Sequence, residues 1–155
     1  MAIEIERKFL VKGDSWRSLG TGKVYKQGYI LTQNKITTVR ARIVGDRGYL
    51  TLKGKIKGLA RSEFEYPIPK EDAQIILETL CDSPLIEKIR YSISLNNLVW
   101  EVDEFTGDNQ GLILAEVELN DENQYLKLPD WIGEEVTHDL KYYNVNLCQH
   151  PYKLW

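Results

Sequence analysis

Apolar and polar residues alternate with a period of two along most of this chain, the repeat of a β-strand and not of a helix. Strands are predicted over Ile3 to Val11, Val24 to Thr32, Ile36 to Val44, Gly48 to Ile56, Arg61 to Ile68, Leu85 to Leu95, Leu98 to Phe105 and Leu112 to Leu119. Gly45-Asp46-Arg47 and Asn96-Asn97 stand where two hairpins turn. Between Pro69 and Leu80 the period changes. Ala73, Ile75, Ile76, Leu77 and Leu80 form a helical stripe, with Pro69 ahead of it and Lys70-Glu71-Asp72 in its first turn. Glu122 to Leu126 and Asn144 to Cys148 are further short helices by the same reading, and Asp14 to Leu19 is a short connecting segment. Many strands with short connections predict an α+β, mainly β fold, an eight-stranded antiparallel sheet, closed or strongly curved, with a few outer helices.

The two faces of these strands differ in kind. Ile3, Ile5, Arg7 and Phe9 alternate with Glu4, Glu6 and Lys8, and Val39, Ala41 and Ile43 with Arg40 and Arg42. Leu50 and Leu52 alternate with Tyr49, Thr51 and Lys53, Phe64 and Tyr66 with Glu63 and Glu65, and Ile89 and Tyr91 with Lys88 and Arg90. Val102 lies between Glu101 and Asp103, and Ala115, Val117 and Leu119 flank Glu116 and Glu118. Any one such pair reads equally well as the wet face of a one-sided sheet. As a set they are sorted by sign: Arg40/Arg42 and Lys88/Arg90 are cationic, while Glu63/Glu65, Glu101/Asp103 and Glu116/Glu118 are anionic. Residues i and i+2 on one strand face lie roughly 6–7 Å apart, so each pair repels itself. A closed sheet with this face inward then suits ligands of both signs, for which a polyphosphate with a divalent metal is the natural combination. On that reading, removing Glu116 or Arg40 relieves repulsion in the empty lumen and raises stability.

Composition narrows the classes. The 155 residues fit one domain, residues 1–155, with 43% hydrophobic and 28% charged residues and a net charge of −3. A slightly acidic chain has no global field for nucleic acid, and no apolar run reaches the about 18 residues of a membrane span. The start from Met1 to Lys8 is charged at once, unlike a secretory leader, and Cys81 and Cys148 have no metal-type spacing, so a cytoplasmic protein with free thiols is expected. His138 and His150 have no partner motif for zinc or a catalytic triad. Leu19 to Val24 lacks the first glycine and the final Ser/Thr of a phosphate-binding loop. Trp16, Trp100, Trp131 and Trp155 are read as packing residues.

Several of these residues stand in a recognisable order. Glu4-Ile5-Glu6-Arg7-Lys8, followed by Phe9-Leu10-Val11, has the form E-x-E-x-K. After it come Gln27-Gly28-Tyr29, Arg40-x-Arg42, Thr51-Leu52-Lys53, Gly58-Leu59-Ala60-Arg61, Glu63-x-Glu65 and Lys88-x-Arg90-Tyr91. Glu101-Val102-Asp103, Glu116-Val117-Glu118 and Gly133-Glu134-Glu135-Val136-Thr137 complete the set. In this order the chain resembles the CYTH domain, or triphosphate tunnel metalloenzyme, superfamily, and most of all its compact bacterial members.

The resemblance implies an eight-stranded antiparallel tunnel and one of four activities: inorganic triphosphatase, thiamine triphosphatase, RNA triphosphatase or class IV adenylate cyclase. For the compact members metal-dependent hydrolysis of tripolyphosphate is expected, on a small anionic substrate and without nucleic acid or membrane as partner. A class IV-type cyclase making cyclic AMP from ATP, and a polyphosphate-binding module without turnover, are the alternatives. Arg40, Arg42, Lys88 and Arg90 are the expected phosphate clamps, with Arg61 and Lys141 as further substrate-binding candidates. Lys8 and Lys53 are placed nearest the scissile phosphate in an electrostatic role, and Tyr29 reads equally as a hydrogen-bond partner of Lys8 or the substrate and as a packing residue. Glu4, Glu6, Glu116 and Glu118 are the expected ligands of Mg²⁺ or Mn²⁺, and Glu63, Glu65, Glu101 and Asp103 support them or hold a second ion.

Overall fold

The computed structural model describes residues 3–155. Met1 and Ala2, counted above with the charged start, lie outside the described residues. Nine strands form one sheet: β1 (Ile3–Val11), β2 (Gly22–Ile30), β3 (Thr38–Val44), β4 (Arg47–Lys53), β5 (Ala60–Ile68), β6 (Ile86–Leu95), β7 (Leu98–Phe105), β8 (Ile113–Glu118) and β9 (Ile132–Glu135). The helices are α1 (Lys70–Thr79) and α2 (Asn144–Gln149). Eight strands run antiparallel round a cylinder in the order β1-β8-β7-β6-β2-β3-β4-β5, and β5 returns to pair with β1. Closure is short: Ile3, Glu4 and Ile5 pair with Ser62, Arg61 and Ala60. Further along the same edge β1 leaves β5 and pairs with β9 through Phe9 and Val11.

Turn chemistry sets the hairpins. Gly45 takes φ +60° between β3 and β4, and Asn96 and Asn97 take φ +53° and +61° between β6 and β7. Two successive left-handed residues match the twist of the strands they join. The expected third strand starts two residues late because Asn34 Oδ1 accepts from the backbone N–H groups of Ile36 and Thr37 and holds them in a turn. The fourth ends at Lys53, and 54–59 peels away to line the cavity with Ile56, Gly58 and Leu59.

The outward faces carry most of the core. Phe9, Trp16, Ile93, Trp100, Val102, Val117 and Trp131 pack outside β1, β6, β7 and β8, beneath the 3-10 turn Ser15–Leu19 and the segment before β9. Ala73 and Leu77 of α1 meet Ala41 and Ile43 of β3, while Ile75 and Leu80 of the predicted stripe stay exposed. Gly48 makes this contact possible, since a Cβ there would stand 2.8 Å from the Ala73 Cβ. A third cluster lies inside the barrel, where Ile86, Phe105, Leu112 and Leu114 meet Tyr29, Tyr142 and the α2 residues Leu147 and Cys148. The apolar inventory is therefore not all external, because one end of the barrel is filled. The helix expected over Glu122 to Leu126 is absent: Asp121 Oδ1 accepts from the Asn123 N–H and Gln124 Oε1 from the Asn120 N–H, which favours a turn.

Candidate active site in the barrel lumen

Strand alternation carries the even-numbered residues of β1, β3, β6 and β8 and the odd-numbered ones of β2, β4, β5 and β7 inward. They line one cavity of about 960 Å³. Its wall includes Glu4, Glu6, Lys8, Tyr29, Arg40, Arg42, Lys53, Arg61, Glu63, Glu65, Lys88, Arg90, Glu101, Glu116 and Glu118 from the sequence reading, joined by Gln27 and Asn144. Asp103 lies behind this wall, 1% exposed and bound to Lys88 and Arg90. Lys141 is not brought to the lumen. Its Nζ sits 4.5 Å from the ring centre of Trp155 and 5.3 Å from that of Tyr142, because the C-terminal turn folds an aromatic surface against it.

Charges sorted along strands are matched across them. Lys8 lies 3.4 Å from Glu116, Lys53 3.0 Å from both Glu4 and Glu63, and Arg61 3.4 Å from Glu4. Arg90 grips Asp103 through Nε and Nη2 at 2.7 and 2.8 Å and reaches Glu101 at 3.1 Å. Glu116 thus neutralises Lys8 and stands 3.8 Å from Arg90, so its removal costs stability, contrary to the repulsion argument from sequence. Burial works to discharge Lys8, but Glu116, Glu6 and Asp103 outweigh it and raise its pKa. A lysine so held keeps its proton and acts by charge. Its Nζ also donates to the Tyr142 carbonyl at 3.3 Å and lies 5.1 Å from the Tyr143 ring centre.

Two features of the lumen are left unbalanced by its own side chains. The first is a surplus of carboxylates across β1, β8 and β7, where Glu6 pairs in register with Glu118 and Glu101 with Glu116. Like charges directly opposite are unfavourable. Burial, then Glu116 and Glu4, push the Glu6 pKa well up, while Lys8, Arg90 and Lys88 overcome burial to hold Glu116 well down. Burial and a hydrogen bond with Glu4 raise Glu63 likewise, while Lys53, the Glu63 hydrogen bond and Arg61 overcome burial to hold Glu4 at about 2. Burial, Glu4 and Glu101 raise Glu118. Crowded carboxyl groups that raise one another's pKa form a hard, all-oxygen donor set, which fits a divalent ion. Among the described residues no group of three acids, histidines or cysteines is already drawn together as a metal cage. Such an ion would need further oxygens from its substrate.

The second feature is cationic. Arg42 is the one sequence-predicted lumen cation in no ion pair among the described residues; its Nε donates 2.8 Å to the neutral Gln27 Oε1. Burial, with Arg40 and Arg90 nearby, pulls its pKa down to about 10. Arg40 reaches Thr51 at 3.2 Å and Glu65 at 3.5 Å, yet its buried Nε has no partner. Lys88 donates 2.7 Å to Asp103 and 3.0 Å to Asn144 Oδ1; because Arg90 shares that aspartate, burial and the two arginines bring Lys88 down to about 7. Tyr29 accepts from Gln27 Nε2 at 2.9 Å and is 5% exposed, so it binds the wall and not Lys8.

The lumen of this antiparallel barrel thus sets an arginine donor without a partner among the described residues apart from a crowd of carboxyl groups, an arrangement with places for charges of both signs. The profile of the CYTH domain matches residues 2–152, and the chain belongs to that family. Membership implies a divalent metal cofactor. The chain is 53% identical over 153 residues to an inorganic triphosphatase of Acetivibrio thermocellus, covering 99% of this chain and 97% of that protein. It is 35% identical over 152 residues to an inorganic triphosphatase of Nitrosomonas europaea, covering 94% and 96%. A crystal structure of an inorganic triphosphatase superposes with a TM-score of 0.65 at 33% identity, covering 96% of this chain and 95% of that one.

Asn144 carries no charge signal in the sequence, and Gln27 stands there only within Gln27-Gly28-Tyr29 of the family resemblance, with no role of its own. Only the alternation of Gln27 with Gly28 and Lys26 on β2 placed it on the face of Tyr25 and Tyr29.

Proposed function

We propose that this chain hydrolyses inorganic triphosphate to pyrophosphate and orthophosphate with the help of Mg²⁺ or Mn²⁺. The observation that carries the reading is the unpartnered Arg40 Nε beside an Arg42 that is in no ion pair among the described residues, within one lumen that also holds carboxylates crowded in register. Two relatives named as inorganic triphosphatases, each aligned over nearly the whole chain, support the substrate.

Arg40, Arg42, Lys88 and Arg90 clamp the phosphate oxygens, with Arg61 nearer the β1–β5 seam. Arginine suits this because it binds two oxygens at once and stays charged. Glu4, Glu6, Glu116 and Glu118 hold the metal, which neutralises phosphate charge when bound. Glu63, Glu65 and Glu101 stand beside this set, and Asp103 orients Arg90 and Lys88 from behind the wall. Lys8 and Lys53, paired with Glu116 and Glu4, stabilise the charge that develops as the terminal phosphoryl group transfers. Water oxygen bonds to the terminal phosphorus and the P–O bridge breaks, its electron pair leaving on pyrophosphate. One water proton stays on the orthophosphate and the other passes to solvent. Tyr29 braces Gln27 and takes no chemical step.

Incubation with tripolyphosphate or ATP, each with and without Mg²⁺ and Mn²⁺, tests the reading. Metal-dependent orthophosphate release from tripolyphosphate is expected. Cyclic AMP from ATP would replace it with the cyclase, and tight binding without turnover would replace it with a binding module.

A further inference from the structure

Most lumen cations are answered by a carboxylate, but the group around Arg42 is answered by amides. Gln27 is 0% exposed and its polar atoms are all engaged: Oε1 accepts from Arg42 Nε at 2.8 Å, and Nε2 donates to Tyr29 at 2.9 Å and to Asn144 Oδ1 at 3.3 Å. Asn144 Oδ1 also accepts from Lys88 Nζ at 3.0 Å. One hydrogen-bonded chain, Arg42–Gln27–Asn144–Lys88, therefore joins β3, β2, α2 and β6 and carries no negative charge of its own. A glutamate is nearly the same shape as glutamine, so neutrality here is a chemical choice separate from packing. A carboxylate at 2.8 Å would satisfy Arg42 and compete with any anion for it.

We propose that Gln27 and Asn144 are positioning residues that aim Arg42 and Lys88 into the lumen while leaving Arg42 without a counter-ion, so that a terminal phosphoryl group of the substrate seats against Arg40, Arg42 and Lys88. The proposal rests on the reading of the lumen as a triphosphate site. It also gives the substrate a direction: one end lies in the amide-backed corner, and the other lies toward Glu4, Glu6, Glu116 and Glu118. Tyr25 completes the corner, with the Arg42 and Arg90 guanidinium carbons 4.9 and 5.1 Å from its ring centre.

The test compares Gln27→Glu with Gln27→Met. Calorimetry with tripolyphosphate, without metal, reads affinity, and steady-state assays with metal read KM against kcat. If vacancy at Arg42 is the function, affinity falls in the order wild type, Met, Glu. The glutamate variant should lose about tenfold or more, mainly in KM, while keeping or raising its melting temperature. If Gln27 only scaffolds the wall, glutamate preserves the Arg42 bond and the side-chain volume, so Glu binds as well as or better than Met; that order overturns the proposal. Should Gln27→Met not fold, Gln27→Glu is set against the wild type alone, and an affinity equal to or above that of the wild type overturns the proposal. Binding by the wild type without hydrolysis would refute the proposed function and leave this order readable. Hydrolysis with the order reversed would refute this inference alone, and absence of any binding would refute both.

Discussion

Replacing Arg42 by Met should make the empty protein more stable and the ligand-bound protein less so. Burial and its cationic neighbours move Arg42 from 12.5 to about 10, which at about 1.4 kcal/mol per unit burdens the charged form by about 3 kcal/mol. Against this stand the hydrogen bond to Gln27 and the contact with Tyr25, together about 2 kcal/mol. The difference, about 1 kcal/mol, corresponds to a rise of about 2–4 °C in Tm for a chain of this size. In the ligand arm, losing a charge-assisted phosphate contact costs about 2 kcal/mol, or about thirtyfold in Kd. Tripolyphosphate at a hundred times the wild-type Kd stabilises the wild type by about 2.7 kcal/mol and the variant by about 1 kcal/mol. Differential scanning fluorimetry across a tripolyphosphate titration should therefore give two curves that cross. A variant less stable when empty, or one with the wild-type ligand shift, would refute the account of Arg42 as an uncompensated charge kept for binding.

Glu116→Gln should abolish metal-dependent turnover and also lower Tm, because it strips the counter-charge from Lys8 and Arg90; breaking a buried pair costs about 3 kcal/mol, and an unchanged or raised Tm would contradict the pairing. Lys88, at about 7 in the fold and 10.5 when unfolded, binds fewer protons folded than unfolded between those values, so its contribution to stability grows as pH rises through that window. Urea midpoints at pH 7 and pH 9 should rise more in the wild type than in Lys88→Met, and equal changes would refute the depressed lysine. Gly48→Ala should push α1 off β4 and cost about 1–3 kcal/mol by chemical denaturation, whereas wild-type stability would show that Ala73 can yield.

The sequence showed most where charge and alternation coincide. β1 and β7 begin and end where the pattern puts them, since each carries charged residues on one face and core residues on the other. β9 escaped because four residues, Ile132 to Glu135, are too few to show a period, and its pairing depends on β1 having left β5. Lys141 was misplaced because its neighbour in sequence says nothing about Trp155, which decides where its ammonium rests. Periodicity did bring the remaining charged candidates to one barrel interior, but it could not tell which of them would already be paired. Pairing depends on register across strands, such as Lys8 beside Glu116 and Arg90 beside Asp103, and register is a property of the closed sheet.

The threefold attachment of β1 bears on how the molecule is made. Its edges need Ala60–Ser62 on one side, Leu114–Glu118 on the other, and finally Ile132 and Glu135. During synthesis β1 is made before every strand it pairs with, so Glu4, Glu6 and Lys8 wait in water until β5, β8 and β9 have followed. Pairings so distant in sequence make closure slow. The same charges that furnish the finished chamber keep that waiting strand from sticking to its neighbours.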